Sequence, residues 1–205
     1  RVGIAISDEL QITAQGLETI SYNGNDKKLL ARLDEIMKKF NIDIKDVRDC
    51  KVANIDWKGK VVYLGVDLSE SNDNTAVAMV SVDDDNNILA DVIAFIPEGR
   101  MSEKTAAEKV NYFELTKTQK CVACGDKVID YAVVENFIFD IEKKYGVVVQ
   151  AIGYDRWNAL STAQKLERGR PNEHGYNCVE IRQHSSVLHP PTKLLKEKIL
   201  TKEFK

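Results

Sequence analysis

Apolar residues along the chain fall into short runs and helical repeats, which predict alternating strands and helices. The run 61–66 contains no charged residue, and the run 147–154 is almost as apolar. Unbroken apolar runs of this length are typical of strands buried on both faces, so we place both at the centre of a sheet. Two further strands are predicted at 75–82 and 88–96, joined by the polar turn 83–87.

Helical spacing of apolar residues predicts most of the remaining elements. The predicted helices cover 26–40, 102–110 and 130–145 (capped by Asp130, stopped by Gly146). A further helix runs through Leu160, Ala163 and Leu166 and is stopped by Gly169, and a last helix is capped by Thr192 after an extended Pro190-Pro191. Short strands are predicted at 4–6, 17–22 and 176–182, a connector at 41–60 and a loop at 112–127.

The order of these elements indicates an α/β protein. Three strands joined as hairpins come first, and later strands alternate with helices. This order predicts a mixed sheet, with three antiparallel strands followed by parallel strands and with helices on both faces.

Composition and charge are those of an ordinary globular protein. The 205 residues are 43% hydrophobic and 30% charged, with a net charge of −3. No apolar run reaches membrane-spanning length, so no membrane partner is predicted. Residues 151–205 carry more Lys and Arg than Asp and Glu, which permits contact with phosphates on that part of the protein.

Two cysteines have the spacing of half a zinc site. Cys121 and Cys124 are separated by two residues, but the sequence contains no second close pair of cysteines. Completion would need residues drawn from a scattered set, namely His174, Cys178, His184 and His189. The alternatives at this point are a structural zinc site and a solvated loop pair.

An aspartate follows each of the two most apolar strands. If these strands are parallel neighbours, Asp67 and Asp155 emerge at the same edge of the sheet, where ligands of open α/β sheets bind. Two adjacent carboxylates repel each other unless a cation lies between them or one is protonated. Hard oxygen ligands favour Mg²⁺ or Mn²⁺, and two such ions about 4 Å apart can activate water and stabilise a leaving oxygen. The alternative is that both residues only cap turns.

Several stretches, taken in order, resemble a known family. They are Leu64–Glu70 with Asp73–Val77 behind it, Val128–Tyr131, Ile152–Ala159, Arg182-Gln183 and Pro191–Leu195. Together they resemble the C-terminal nuclease domain of the large terminase subunit of tailed bacteriophages. The resemblance covers about residues 48–205, and the motifs are more specific in combination than singly.

The resemblance implies a ribonuclease H-like fold in residues 48–205, preceded at 1–47 by a linker or the end of an ATPase domain. It implies metal-dependent cutting of double-stranded viral DNA with two Mg²⁺ or Mn²⁺ ions. The implied partners are DNA, the terminase ATPase domain, the small terminase subunit and the capsid portal. The implied location is the cytoplasm of the infected bacterial host, during virion assembly.

Individual residues also match positions of the family. Asp67 and Asp155 match its metal ligands, and Asp73 is a further candidate ligand, although turn capping also explains it. Gln183 and Lys193 match positions near the DNA, and Arg156, next to the second aspartate, is a candidate phosphate contact. The family uses a third acidic ligand, whose place we expect beyond Lys205.

Two other functions are compatible with the sequence. Because the third acid is missing from these residues, one alternative is a module that docks DNA or the portal without cutting. The other is a fragment of an actin-like or sugar-kinase-like ATPase, since Gly65-Val66-Asp67 before a polar turn also opens those folds. That second reading needs a further Gly-rich phosphate loop, which the sequence does not contain.

Overall fold

The computed structural model describes residues 42–50, 54–69, 74–108 and 110–205, with only the backbone at Ile44, Arg48, Trp157 and Asn158. The strands predicted at 4–6 and 17–22 and the helix predicted at 26–40 lie outside the described residues. The described part contains a six-stranded mixed sheet and six α-helices.

The strands are β1 (Val61–Asp67), β2 (Thr75–Val82), β3 (Ile88–Ile96), β4 (Cys121–Ala123), β5 (Val148–Tyr154) and β6 (Cys178–Glu180). They lie in the order β4-β3-β2-β1-β5-β6. The pair β1–β2 is antiparallel, whereas β1–β5, β3–β4 and β5–β6 are parallel. The predicted mixed sheet, with hairpins first and parallel strands later, is confirmed.

The helices are α1 (Ile44–Asp49), α2 (Met101–Glu108), α3 (Tyr112–Lys117), α4 (Tyr131–Tyr145), α5 (Arg156–Arg168) and α6 (Ser185–Leu200). A 3₁₀ turn (Glu98–Arg100) precedes α2. Helix α1 lies in the segment 41–60, which was predicted to be a connector, so that prediction was wrong for Ile44–Asp49. No helix among the described residues combines the length and apolar composition that a membrane span requires.

Helix α4 begins and ends where the sequence predicted. The Asp130 side chain accepts a hydrogen bond from the Ala132 amide at 2.9 Å, and Gly146 ends the helix with a φ of 67°. The apolar side of α4 is buried, with Val134 and Ile138 both fully enclosed. The helix lies between β4 and β5 in the chain, and β5 is the strand that precedes the second aspartate.

Strand β1 is not buried on both faces, so that prediction was wrong. Val62, Leu64 and Val66 are buried, whereas Val61 and Tyr63 are 49% and 56% exposed. The error has a physical reason, because β-branched and aromatic residues suit a strand whether or not both of its faces are covered. An unbroken apolar run therefore indicates a strand more reliably than it indicates its burial.

The segment 112–127 is not a loop, as the sequence had predicted. It contains α3, whose cap is the Asn111 side chain accepting from the Glu114 amide at 3.2 Å, and then β4. Strand β4 pairs with β3, with Cys121 opposite Ala94. Three residues are too few to show an alternating pattern, so sequence alone does not reveal this strand.

Helix α6 begins eight residues earlier than predicted. Its cap is His184, whose Nδ1 accepts from the Ser186 amide at 3.2 Å, and Pro190 and Pro191 lie inside the helix. The prolines are the sixth and seventh residues of the helix and cannot donate the main-chain hydrogen bonds usual at these positions. Thr192, predicted as the cap, instead donates its hydroxyl to the carbonyl of Leu188 at 2.7 Å.

The chain divides into two compact units. One comprises residues 56–81 and 90–182. The other contains the described residues up to Ile55 together with 82–89 and 183–205. In this second unit the Ile88 amide donates to the Glu203 carbonyl at 2.7 Å, and Lys202 pairs with Asp49 at 2.8 Å. The predicted domain boundary after residue 47 stays a prediction.

Candidate active site

Asp67 is the last residue of β1 and is partly buried. On one side its backbone pairs with β2, where Ala76 stands opposite it. The apolar residues before it favour an extended strand, and the polar sequence after Leu68 favours a turn. The carboxylate is therefore placed at the point where the chain leaves the sheet.

Asp155 follows β5 directly and precedes the first residue of α5; it too is partly buried. Strands β1 and β5 are parallel neighbours, and their last paired residues are Val66 and Tyr154. Each aspartate comes immediately after this pair. The two strands meet the condition on which the inference from the sequence depended, and both acids leave the same edge of the sheet on strands about 5 Å apart.

The register between β1 and β5 shifts once before it reaches the aspartates. Val62 lies opposite Val149, but Tyr63 lies opposite Ala151, so Gln150 is an extra residue on β5. Beyond this bulge the pairing is regular to the ends of both strands. Bulges re-aim the side chains that follow them, and here the shift leaves the two acids level with each other.

Two glycines lie opposite each other just before the acids. Gly65 pairs with Gly153, and each precedes its aspartate by two residues. Because side chains alternate along a strand, Gly65 shares a face with Asp67. A Cβ at Gly65 would meet nothing closer than the Cβ of Ala78 at 3.8 Å, so this face is open beside the first acid.

The remaining candidates near these acids are described only in part. Arg156 is exposed at the first position of α5. Asp73 lies outside the described residues, so its proposed role as a ligand stays a prediction.

Gln183 and Lys193 belong to the other compact unit. Gln183 is partly buried and lies directly before the cap of α6, and Lys193 is exposed on that helix. Their predicted placement near DNA stays a prediction.

The donor chemistry of the two acids suits a hard divalent cation. Carboxylate oxygens are ligands that Mg²⁺ and Mn²⁺ prefer, and the two backbones approach from neighbouring strands. Within the part of the chain that the structure describes, no group of three or more His, Cys, Asp and Glu residues is arranged to hold a metal. Asp67 and Asp155 therefore stand as two candidate ligands among the described residues.

The two close cysteines are buried rather than solvated. Cys121 lies on β4 and Cys124 follows it, and burial raises the pKa of the Cys121 thiol to about 12. The reading as a solvated loop pair is therefore wrong. Among the described residues, the His and Cys that could have completed a zinc site do not form a group of three with them.

A buried polar network behind the β1–β2 connection was missed in the sequence. Asn74 donates its amide to the Tyr112 hydroxyl at 2.7 Å, and that hydroxyl donates to Glu108. Glu108 also pairs with Lys104, which is 4% exposed, at 2.7 Å. Burial and the bond to Glu108 raise the pKa of Tyr112. The sequence offered one signal for this network, since Lys104 and Glu108 are four residues apart on a predicted helix and could therefore pair.

Comparison with known proteins agrees with this architecture. Residues 25–203 match the family described as terminase large subunit, endonuclease domain. The crystal structure of the HK97 bacteriophage large terminase is similar in fold, with a TM-score of 0.70 and 20% sequence identity. The match covers 80% of this chain and 33% of that chain, so this chain spans about a third of the HK97 protein's length. No curated protein matches the sequence.

The mixed sheet, with antiparallel strands first and parallel strands later, is a ribonuclease H-like fold similar to that of the HK97 large terminase. The family match extends over most of the chain. The protein belongs to the endonuclease domain family of terminase large subunits.

Proposed function

We propose that this chain is a metal-dependent endonuclease that cuts double-stranded DNA, with Asp67 and Asp155 as the acidic metal ligands. The observation that carries the proposal is the parallel pairing of β1 and β5, which end in these two acids side by side. Carboxylates that leave adjacent strand ends repel each other, and a divalent cation between them removes that repulsion. Membership of the endonuclease family supports the same chemistry.

Each part of the site has a defined task in this proposal. Asp67 and Asp155 hold the ions, which we propose to be two Mg²⁺ or Mn²⁺. When bound, such ions supply an activated water and stabilise the leaving oxygen of a phosphodiester. Arg156, which is exposed and follows Asp155 directly in the sequence, is proposed to contact a backbone phosphate. Gln183 and Lys193 are proposed as further DNA contacts.

The larger setting is also a proposal. The DNA would be viral, and the partners would be the ATPase part of the large subunit, the small terminase subunit and the capsid portal. Membership of the terminase large subunit family supports these proposed partners. The corresponding place of action is the cytoplasm of the infected host.

The test is cleavage of linear double-stranded DNA by the whole chain in Mg²⁺, in Mn²⁺ and in EDTA. We expect metal-dependent cutting that falls by about 100-fold or more in Asp67→Ala and in Asp155→Ala, because each loses a ligand worth several kcal/mol in the transition state. The matched control is Asp140→Ala, an exposed acid on α4 whose loss leaves cutting unchanged. An Asp155→Ala protein that cuts normally contradicts the proposal.

A docking module is the second candidate, favoured by the absence of a three-acid group among the described residues. The same experiment separates the two functions. DNA binding by the parent chain with no cleavage in either metal would support docking, whereas EDTA-sensitive cleavage supports the nuclease.

A further inference from the structure

The hydroxyl of Thr75 joins the two ends of the connection between β1 and β2. Thr75 is the first residue of β2, and its side chain is 0% exposed. Its Oγ1 accepts a hydrogen bond from the Ser69 amide at 2.9 Å and donates to the Ser69 carbonyl at 3.2 Å. One side chain therefore satisfies both main-chain polar groups of a single residue in the opposite segment.

This bridge lies next to Asp67. The antiparallel pairing of β1 and β2 ends with Asp67 opposite Ala76, and Thr75 directly precedes Ala76. Ser69 is two residues beyond Asp67, with Leu68 buried between them. The hydroxyl thus continues the pairing of the two strands past the last main-chain pair and holds the chain on the far side of the acid.

We propose that Thr75 is a positioning residue, which fixes the backbone that carries Asp67 so that this carboxylate meets the metal in one orientation. The inference rests on the proposed function. A ligand held by a strand on one side and a free turn on the other would sample several orientations. Groups that orient a metal ligand typically change metal affinity by about 10–100-fold when they are removed.

The sheet also contains a control for this inference. Ser81, at the other end of β2, is 5% exposed and donates its hydroxyl to the Val61 carbonyl at 2.7 Å. It joins the same two strands through the same kind of bond. It does so at the start of β1, six residues before Asp67, so its loss tests stability without touching the acid.

The experiment measures Mn²⁺ binding to the whole chain by isothermal titration calorimetry, with the melting temperature recorded for each variant. Thr75→Val keeps the shape but removes the hydroxyl, and we expect its Mn²⁺ affinity to fall by about 10–100-fold. Thr75→Ser keeps the hydroxyl and should bind within about threefold of the parent, well short of that loss. Ser81→Ala should lower the melting temperature but leave Mn²⁺ affinity unchanged.

The outcomes separate this inference from the proposed function. If the parent binds Mn²⁺ and Asp67→Asn abolishes binding, but Thr75→Val binds normally, only the role of Thr75 is overturned. An equal loss of affinity in Ser81→Ala overturns it as well, since any weakening of the sheet would then suffice. If the parent binds no Mn²⁺, both proposals fall. If Thr75→Val does not fold, Thr75→Cys is used in its place. A Thr75→Cys protein that binds Mn²⁺ as tightly as Thr75→Ser would contradict the role of Thr75.

Discussion

Gly175 is a residue at which two stretches of main chain come into contact. A Cβ at this position would lie 1.9 Å from the carbonyl oxygen of Glu167. The following residue, Tyr176, is tied to the same helix end, because its amide donates to the Leu166 carbonyl at 2.9 Å. The end of α5 and the approach to β6 therefore require a residue without a side chain.

We expect Gly175→Ala to lower the free energy of unfolding by about 1–3 kcal/mol, because the main chain must move to admit the methyl group. Gly65→Ala is the control, since its new Cβ would have nothing closer than 3.8 Å. Urea denaturation of the two variants and the parent measures the difference. Equal stability of the two variants would show that the contact at Gly175 relaxes freely.

At this scale, the sequence identifies residues whose signal is local. Asp67 and Asp155 were found because an acid after an apolar run is visible along the chain. Thr75 was not found, because a threonine that starts a strand looks like any other until its hydroxyl is seen against Ser69. Partners of buried hydroxyls are set by the fold, and residue type alone does not reveal them.

Helices α4 and α5 are joined by a buried carboxylate. Glu135 is 6% exposed and accepts hydrogen bonds from the Thr162 hydroxyl at 3.0 Å and from Lys165 Nζ at 2.9 Å. A buried charge is tolerated only when it is paired and hydrogen-bonded, as it is here. The contact fixes α5, the helix that begins directly after Asp155.

We expect Glu135→Ala to lower the free energy of unfolding by about 1–3 kcal/mol, because the buried Thr162 hydroxyl loses its acceptor. Glu135→Gln keeps an acceptor oxygen and should cost less. Thermal unfolding provides the measurement, with the exposed Asp140→Ala on the same helix as the reference. A Glu135→Ala protein as stable as Asp140→Ala would contradict the role given to this carboxylate.

Elements were predicted well where caps and periodicity agree. Helix α4 has both an aspartate cap and a glycine stop, and its limits were correct. Helix α6 was misplaced because a proline pair was taken to end an extended segment, whereas a histidine caps the helix and the prolines lie inside it. Proline disfavours a helix interior, which is why the proline pair was interpreted as a boundary.

At the scale of the whole molecule, the mixed character of the sheet could be derived from the sequence, whereas the full strand order and the burial of the strand faces could not. Hairpins followed by strand–helix alternation allow few topologies, so the mixed sheet followed from the pattern. Exposure of Val61 and Tyr63 depends on what covers the sheet, which no run of residues encodes. The same limit applies to Cys121, whose burial arises from a strand too short to recognise.

Buried thiols give the folded protein a dependence on alkaline pH. Burial raises the pKa of Cys121 from 9.0 to about 12 and that of Cys178 to about 11. The unfolded chain releases these protons near pH 9, while the folded chain retains them. The stabilisation is therefore complete below about pH 9 and is lost as the pH rises from there toward 12.

We expect the free energy of unfolding, measured with urea under reducing conditions, to be lower at pH 10.5 than at pH 7.5. In Cys121→Ala the decrease between these two pH values should be smaller, because one of the shifted thiols is gone. An identical decrease in the parent and the variant would assign the alkaline loss to other groups.

Because Gln150 is an extra residue on β5, the alignment of the two acids depends on the number of residues before Asp155 more than on their side chains. Substitutions along β5 leave the count of residues from Val149 to Asp155 intact, and the two acids stay level. A single insertion or deletion in that interval would carry Asp155 one step along the strand and turn it toward the opposite side of the sheet. Over evolutionary time, homologous chains are therefore expected to keep the length of this interval constant even where its exposed residues change.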